Sequence, residues 1–326
     1  MRIAGTGSAV PDRRMTNADF EKILDTNDEW IRQRTGIRER RRVDTEKGES
    51  TRTLCVDALR RALDEARTDG ADLDLVIVAT VTGEMLCPSV ACRVAAEVGA
   101  AGAGAFDVTA ACSGFVYAMN IAYELMRGGT YRCVGVIGCD TMSTIIDYKD
   151  RGVSILFGDA AGAAVLRPTD DLSKGLLAQA MHADGSGWKD LYLPRAARDF
   201  PEGVEADPAK YCKLQMNGRE VFKFAVRTFG EVIQQTLDQV GLQPDDVDHY
   251  VCHQSNARIL EASRERFGVP EEKLYVNIDR YGNSSAGSVP LCFDELRKAG
   301  RIKDGDVVML VAFGGGLTWA SSLWRV

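Results

Sequence analysis

Runs of near-continuous apolar residues alternate along this chain with segments whose apolar positions recur every three to four residues. That pattern predicts strands buried on both faces, joined by amphipathic helices. In the first half, strands are expected at Met1–Val10, at Leu73–Val81 (LDLVIVATV), at Ala105–Val108 and at Cys133–Cys139 (CVGVIGC). Two more are expected around a glycine-rich turn within Ile155–Leu166 (ILFGDAAGAAVL). Helices are expected from Thr16-Asn17-Ala18-Asp19, carrying Phe20, Ile23 and Leu24 inward, and over Thr53–Ala66, with Leu54, Ala58 and Ala62 on one stripe. A small-residue helix runs through Ala91 and Val98, and another carries Phe115, Met119 and Ala122 after a break at Cys112.

From Gly175 the pattern restarts. Lys189–Lys213 is polar and charged and reads as an excursion. Val221–Val240 predicts a long helix, with Phe222, Ala225, Val226, Phe229, Val232 and Ile233 inward. Asp248–Cys252 predicts a short strand with His253 at its C-terminal end, followed by a helix over Ile259–Phe267. Leu274–Ile278 is expected as a strand leading through YGNSSAG into a helix near Val289. Strands at Asp306–Phe313 and Trp319–Val326 flank a Gly-Gly-Gly turn.

The halves match. LVIVATV from Leu75 corresponds to HYVCHQS from His249, FDVTAACSG from Phe106 to VNIDRYGNSSAG from Val276, and LFGDAAGAAVL from Leu156 to AFGGGLTWASSLW from Ala312. An internally duplicated α/β unit is the reading, with halves expected at 1–172 and 173–326 and sheets layered between helices. Ligands in such folds tend to bind at the C-terminal ends of strands. Cys112, His253, Asn283 and Gly314-Gly315-Gly316 all fall at such ends, so pseudo-symmetry predicts that they converge.

Composition narrows the function classes. With 45% hydrophobic and 27% charged residues among 326, the chain is an ordinary globular protein. A net charge of −7 argues against non-specific nucleic-acid binding while allowing a local basic patch. No apolar run reaches the 18 or so residues of a membrane span, and the N-terminal segment lacks a secretory apolar region, so a cytoplasmic location is expected. Nine scattered cysteines without a CxxC pair fit a reducing compartment, and three histidines leave little material for a Cys/His metal site.

Cys112 sits where a strand breaks into a helix. Unpaired N–H groups and the helix dipole at such a site favour thiolate, the nucleophilic form. A lone cysteine there is more often just a small buried residue; the predicted convergence with His253 and Asn283 shifts the reading to a nucleophile. Asp28–Gly36 (DEWIRQRTG) is either an amphipathic surface turn or a ligand rim, with Trp30 as a stacking face and Arg32 and Arg34 as phosphate contacts.

Several motifs together resemble the β-ketoacyl-acyl-carrier-protein synthase III family of the thiolase superfamily. They are ACSGF around Cys112, HQSN at 253–256, GNSSAGSVP at 282–290, FGGGLTW at 313–319, GTGSAVP near the N-terminus, NDEWIRQRTGIRER from Asn27, DRGVSILFGDAAGAAVL from Asp150 and MNGREVFKFAV from Met216. The likeness runs in order over nearly the whole chain. It implies a thiolase-like α-β-α-β-α fold and a decarboxylative Claisen condensation that starts fatty acid synthesis. Cys112 would carry the acyl group from acyl-CoA as a thioester. His253 and Asn283 would stabilise the enolate formed as malonyl-acyl-carrier protein loses CO2. Backbone N–H groups of Cys112 and Gly315 would form the oxyanion hole.

The resemblance further implies that Trp30 and Arg151 sandwich the adenine of CoA, that Arg34 reaches phosphate, and that Thr26, Phe222 and Asn256 line the pantetheine tunnel. Lys223, Gln254 and Arg258 would meet the acidic carrier protein, though Lys223 reads equally as a solvated surface charge. Cys87 falls at the end of the acyl pocket, reached across a homodimer interface; a small residue there suggests a primer longer or more branched than acetyl, or merely a buried cysteine. No metal or redox cofactor is implied. Departures are Ser255, where the family run has alanine, and the long 189–213 excursion at the tunnel mouth. Alternatives are an acyltransferase forming no carbon–carbon bond, or a specialised-metabolism condensing enzyme using a non-acetyl acyl-CoA. A cysteine hydrolase and a non-catalytic acyl-CoA-binding paralogue fit less well, the latter because Cys112, His253 and Asn283 are all present.

Overall fold

The computed structural model describes residues 1–326. The first sheet is built from β1 (Arg2–Ala9), β2 (Leu75–Ala79), β3 (Gly104–Val108), β4 (Val134–Thr141) and β5 (Asp159–Arg167), in the order β1-β5-β4-β2-β3. All run parallel except β5. The second contains β6 (Gly175–Ala183), β7 (His249–Cys252), β8 (Val307–Gly314) and β9 (Thr318–Arg325), in the order β7-β8-β9-β6. There too, the strand flanking the parallel pair, β9, is antiparallel to both neighbours. The second sheet therefore repeats the first, strand for strand, with one omission.

The omission corrects an expectation. Leu274–Ile278 is not a strand: it touches the sheet at one isolated bridge, Tyr250 to Leu274, and Ile278–Tyr281 turns helical. The physical reason lies in Gln254. Its side-chain amide donates to Tyr275 O (3.1 Å) and accepts from Asn277 N (3.0 Å), which are the bonds a neighbouring strand would make. It also donates to Cys252 O (3.0 Å). A side chain has replaced a stretch of ladder, so the backbone there is satisfied without pairing. The other difference is at Ile155–Leu166, where one strand, β5, follows a short helix at Arg151–Ser154 instead of two strands around a turn.

Six helices position the site, beginning with α1 (Asp28–Thr35) and α2 (Thr51–Ala66), whose N-cap Ser50 accepts from Thr53 N. Between the sheets lie α3 (Gly114–Arg127) and, from the second half, the helix Ser288–Lys298. Outside the second sheet pack α4 (Gly218–Asp238) and α5 (Ala257–Phe267); the Ser288 helix is then α6. Strand alternation explains the layering. Leu75, Ile77 and Ala79 join the central cluster with Phe115, Met119, Val289 and Phe293, while Val76 and Val78 join the outer cluster with Leu59 and Ala62. In β8, Val308, Leu310 and Ala312 face the centre, and Met309, Val311 and Phe313 face α4 and α5. Both faces are covered, so the strands read as unbroken apolar runs. No helix is long and apolar enough to cross a membrane.

Candidate active site

Each half ends a segment in the same kind of elbow, and the two elbows face each other. In the first half, Ala111–Ser113 form one 3₁₀ turn leading straight into α3, with Ala111 at φ +46°. In the second, Ser285–Gly287 form the matching turn leading into α6, with Ser285 at φ +51°. Left-handed backbone at a residue with a side chain costs on the order of 1–3 kcal/mol and persists where surroundings enforce it. Here the enforcement crosses between the halves. Ala286 N donates to the buried Asp140 carboxylate of β4 (3.2 Å), which also accepts from Val81 N and from the hydroxyls of Thr80 and Thr82. Asn283 N donates to Leu156 O (2.8 Å), and Gly158 N returns to Asn283 O (3.0 Å).

Cys112 is 7% exposed, and the Ser285 hydroxyl lies 3.3 Å from its sulfur. Gly314 packs directly on it: a Cβ at that position would lie 2.6 Å from Cys112 N, so the close approach requires glycine. Burial pushes the thiol up to about 12, with the Ser285 hydrogen bond opposing and the Asp140 charge adding to the rise. The sequence expectation of a thiolate favoured by the helix N-terminus is not met at rest, where burial raises the thiol. Burial likewise lowers His253 to about 3, so its imidazole is neutral. Its Nδ1 lies 2.7 Å from Ser288 Oγ, and its ring meets Phe313 edge-on at 5.5 Å. Asn283 Oδ1 accepts from Ser285 N (2.9 Å).

Cys112, His253 and Asn283 share the wall of one cavity of about 340 Å³. It is lined further by Trp30, Arg34, Phe222, Asn256 and Gly314, so the sequence-predicted rim and centre meet in one space. A second cavity, about 290 Å³ and mainly apolar, opens on the other side of Cys112, with Met142, Ile145, Leu193, Leu214 and Gly315 among its walls. Cys112, Phe157 and Leu191 line both. A larger groove of about 770 Å³ between α4 and α5 has polar walls and holds no candidate nucleophile.

Other expected residues fall variously. Trp30 sits on α1, capped by Asn27, whose side chain accepts Trp30 N (2.8 Å). Arg151 stacks on the Trp30 ring at 4.8 Å, and Arg34 lies 5.8 Å from it. A base between Trp30 and Arg151 needs about 7 Å, two van der Waals layers, so the guanidinium must swing aside to admit one. Asn256 caps α5 through Arg258 N (2.9 Å) and donates to Arg34 O (3.2 Å). Thr26 is half-buried, lines neither cavity, and its hydroxyl has no hydrogen-bond partner. Lys223 and Arg258 are exposed, Lys223 paired with Glu220 at 2.7 Å.

Gln254 is a correction: it is wholly buried behind His253, so no carrier protein reaches it. Cys87 lies on an exposed loop beside Met85 and Leu86 and lines neither cavity of its own chain. The excursion is no mere surface loop: Leu191, Tyr192 and Leu193 wall the second cavity, and Leu191–Tyr192 pair with Gln215–Met216. Sequence reasoning passed over Ser285, Ser288 and Phe157. The two serines were in plain view in GNSSAGSVP, but only the fold shows what their hydroxyls face.

Comparisons with known proteins agree with this geometry. Residues 106–185 match the family model 3-oxoacyl-[acyl-carrier-protein (ACP)] synthase III, and residues 237–326 match its C-terminal counterpart. A β-ketoacyl-[acyl-carrier-protein] synthase III from Caldanaerobacter subterraneus subsp. tengcongensis is 46% identical over 321 residues, 98% of this chain and 96% of that one. The crystal structure of the Thermus thermophilus β-ketoacyl-[acyl-carrier-protein] synthase III superposes with a TM-score of 0.93 at 44% identity, covering 100% and 99% of the two chains. The priming β-ketosynthase of the R1128 polyketide pathway superposes at 0.92 and 36% identity, covering 100% and 96%. With the facing elbows, the buried cysteine and these likenesses in hand, the chain belongs to the 3-oxoacyl-[acyl-carrier-protein] synthase III family of thiolase-fold condensing enzymes.

Proposed function

We propose that this enzyme condenses an acyl-CoA primer with a malonyl thioester on acyl carrier protein, giving a 3-ketoacyl thioester, CoA and CO2. The observation that carries the reading is the place of Cys112 between two cavities, one leading from the Trp30–Arg34 rim and one apolar space behind it. In the first half-reaction the Cys112 sulfur attacks the primer thioester. The thiol proton ends on the departing CoA sulfur, and the acyl chain lies in the second cavity. Backbone N–H groups of Cys112 and Gly315 receive the tetrahedral oxyanion. Ser285 donates to the sulfur as it gains charge, and His253 supports the same ionisation.

In the second half-reaction Asn283 and His253 donate to the malonyl thioester oxygen as CO2 leaves. The enolate carbon attacks acyl-Cys112, and the expelled thiolate regains a proton from solvent. Loss of CO2 drives the sequence forward. About 290 Å³ is roughly ten times the 30 Å³ a water molecule occupies in the liquid, so the primer pocket suits an acyl chain longer than acetyl. Lys223 and Arg258, exposed beside the channel, supply positive charge for an acidic carrier protein. The unpaired outer side of β3, beside exposed Met85 and Leu86, suits pairing with a second copy. Cys87 of that copy's loop would then approach the primer pocket.

The test is intact-mass spectrometry after incubation with a panel of acyl-CoAs, then with malonyl-carrier protein. The expected result is an added acyl mass that Cys112→Ala abolishes and that malonyl-carrier protein discharges as a 3-ketoacyl product. Acylation without condensation would instead favour simple acyl transfer, and no acylation from any acyl-CoA would remove the proposed donor. The choice between fatty acid and polyketide priming follows from which primer loads best.

A further inference from the structure

Three hydrogen-bond contacts along one turn set how the two polar side chains of the site point. Ser285 N–H donates to Asn283 Oδ1 at 2.9 Å. The amide is thereby fixed with its oxygen turned to the turn and its NH2 left for the cavity that Asn283 lines. His253 faces the same cavity. Its Nδ1 is 2.7 Å from Ser288 Oγ, and its Nε2 has no hydrogen-bond partner in the chain.

The Ser288 hydroxyl carries one hydrogen and has two acceptors in reach: His253 Nδ1 at 2.7 Å and Ser285 O at 2.9 Å. Ser285 O already receives the backbone N–H of Ser288. His253 Nδ1 has no other donor. Giving the hydrogen to Nδ1 uses the shorter contact and spares Ser285 O a second donor; the reverse arrangement, Nδ1–H to Ser288 Oγ with the hydroxyl donating to Ser285 O, would turn a bare lone pair on Nε2 into the cavity beside the Asn283 NH2. Gln254 N, at 3.4 Å, approaches the hydroxyl oxygen from another side as a donor and does not compete for that hydrogen.

We propose that Ser288 is a positioning residue that holds neutral His253 as its Nε2–H tautomer, so that His253 and Asn283 present two donors to a single substrate oxygen. The inference rests on the condensing reading above, in which that oxygen is the one becoming an enolate. A neutral imidazole has one donor and one acceptor nitrogen, and which is which depends on the partner of the other nitrogen. With the alternative tautomer, a lone pair would face the developing negative charge and repel it. Burial keeps the ring neutral, so the tautomer matters at working pH. Ser288 is itself 1% exposed, which shields the contact from exchange with solvent.

The experiment is nitrogen NMR of protein labelled with ¹⁵N-histidine, in which only His182, His249 and His253 contribute signals and His253→Asn assigns the third. The expected wild-type spectrum shows His253 protonated at Nε2 at neutral pH; protonation at Nδ1 would overturn the proposal. In Ser288→Ala the tautomer should redistribute toward Nδ1–H. Malonyl-thioester decarboxylation should fall roughly 10- to 100-fold, less than the roughly 100- to 1000-fold of outright loss of a donor because the tautomers only redistribute. Acylation of Cys112 by acyl-CoA should fall by less than decarboxylation does, because there His253 only assists an ionisation that Ser285 also supports, whereas the enolate oxygen depends on both donors. Ser288→Thr keeps the hydroxyl and should restore both tautomer and decarboxylation. Unchanged tautomer and rate in Ser288→Ala would overturn the assignment. The wild-type spectrum needs no variant to fold and no substrate. A failure of the tautomer is thus distinct from a failure of the condensing reading, which the acylation assay tests separately.

Discussion

At the scale of single residues, Cys112, the proposed nucleophile, is held back by its burial and helped by one hydroxyl. Ser285 Oγ is the only hydrogen-bond partner of Cys112 Sγ, at 3.3 Å. A hydrogen bond to a charged group is worth about 1.5–3 kcal/mol, so Ser285→Ala should raise the Cys112 thiol further. Alkylation of Cys112 by iodoacetamide at pH 8, read by peptide mass spectrometry, should slow roughly tenfold, since only thiolate reacts. Exposed Cys87, Cys92 and Cys212 serve as internal controls and should not change. The convergence of Cys112, His253 and Asn283 on one cavity was legible in the sequence because each terminates a recognisable segment. Their ionisation was not legible. The dipole of a helix can be read from residue order, but the depth at which its N-terminus lies depends on what the other half of the molecule places over it, here Gly314 and Ser285.

At the scale of elements, Gln254 shows one side chain standing in for a strand edge. Gln254→Leu keeps the volume near constant but leaves Tyr275 O, Cys252 O and Asn277 N without their partner. Buried unsatisfied groups cost about 1–3 kcal/mol each, partly relieved by relaxation, so a loss of roughly 2–4 kcal/mol is expected in urea unfolding. Loss below about 0.5 kcal/mol would show that the segment finds other partners. The composition of Leu274–Ile278 suits a strand, and its alignment with Phe106–Val108 in the first half made that reading natural. What no local pattern discloses is a competitor twenty residues upstream. The elements that were read well, β2, β4, β8 and α4, are those whose whole face is buried, so that periodicity and packing agree.

For the molecule as a whole, acid should act through the buried imidazole. His253 has its folded-state value lowered from 6.5 to about 3. In the unfolded chain it takes up a proton below about pH 6.5, while the folded chain leaves it neutral down to about 3. Its contribution to stability is therefore complete above pH 6.5 and lost as pH falls through that window. At pH 5 the loss is about 2 kcal/mol relative to neutral pH. Asp159 works in the opposite sense: burial raises it to about 6, so its charge costs stability at neutral pH and the cost is relieved as pH falls from about 6 toward 3.8. Comparing urea midpoints of wild type and His253→Asn at pH 7 and pH 5 cancels Asp159, which both retain. The variant should lose about 2 kcal/mol less on acidification; equal losses would mean that the imidazole gains a proton in the folded state.

The wall shared by the two cavities ties together features that breeding or engineering would prefer to vary separately. Phe157 and Leu191 line both the cavity that opens at the Trp30–Arg34 rim and the apolar one, the proposed primer side. Any change that thins this partition to admit a bulkier guest on one side also redraws the room on the other. Lineages that shift their starter unit should therefore carry paired changes, one in the partition and one across the channel from it. A library that randomises only the primer side should stall on variants that load well and turn over poorly.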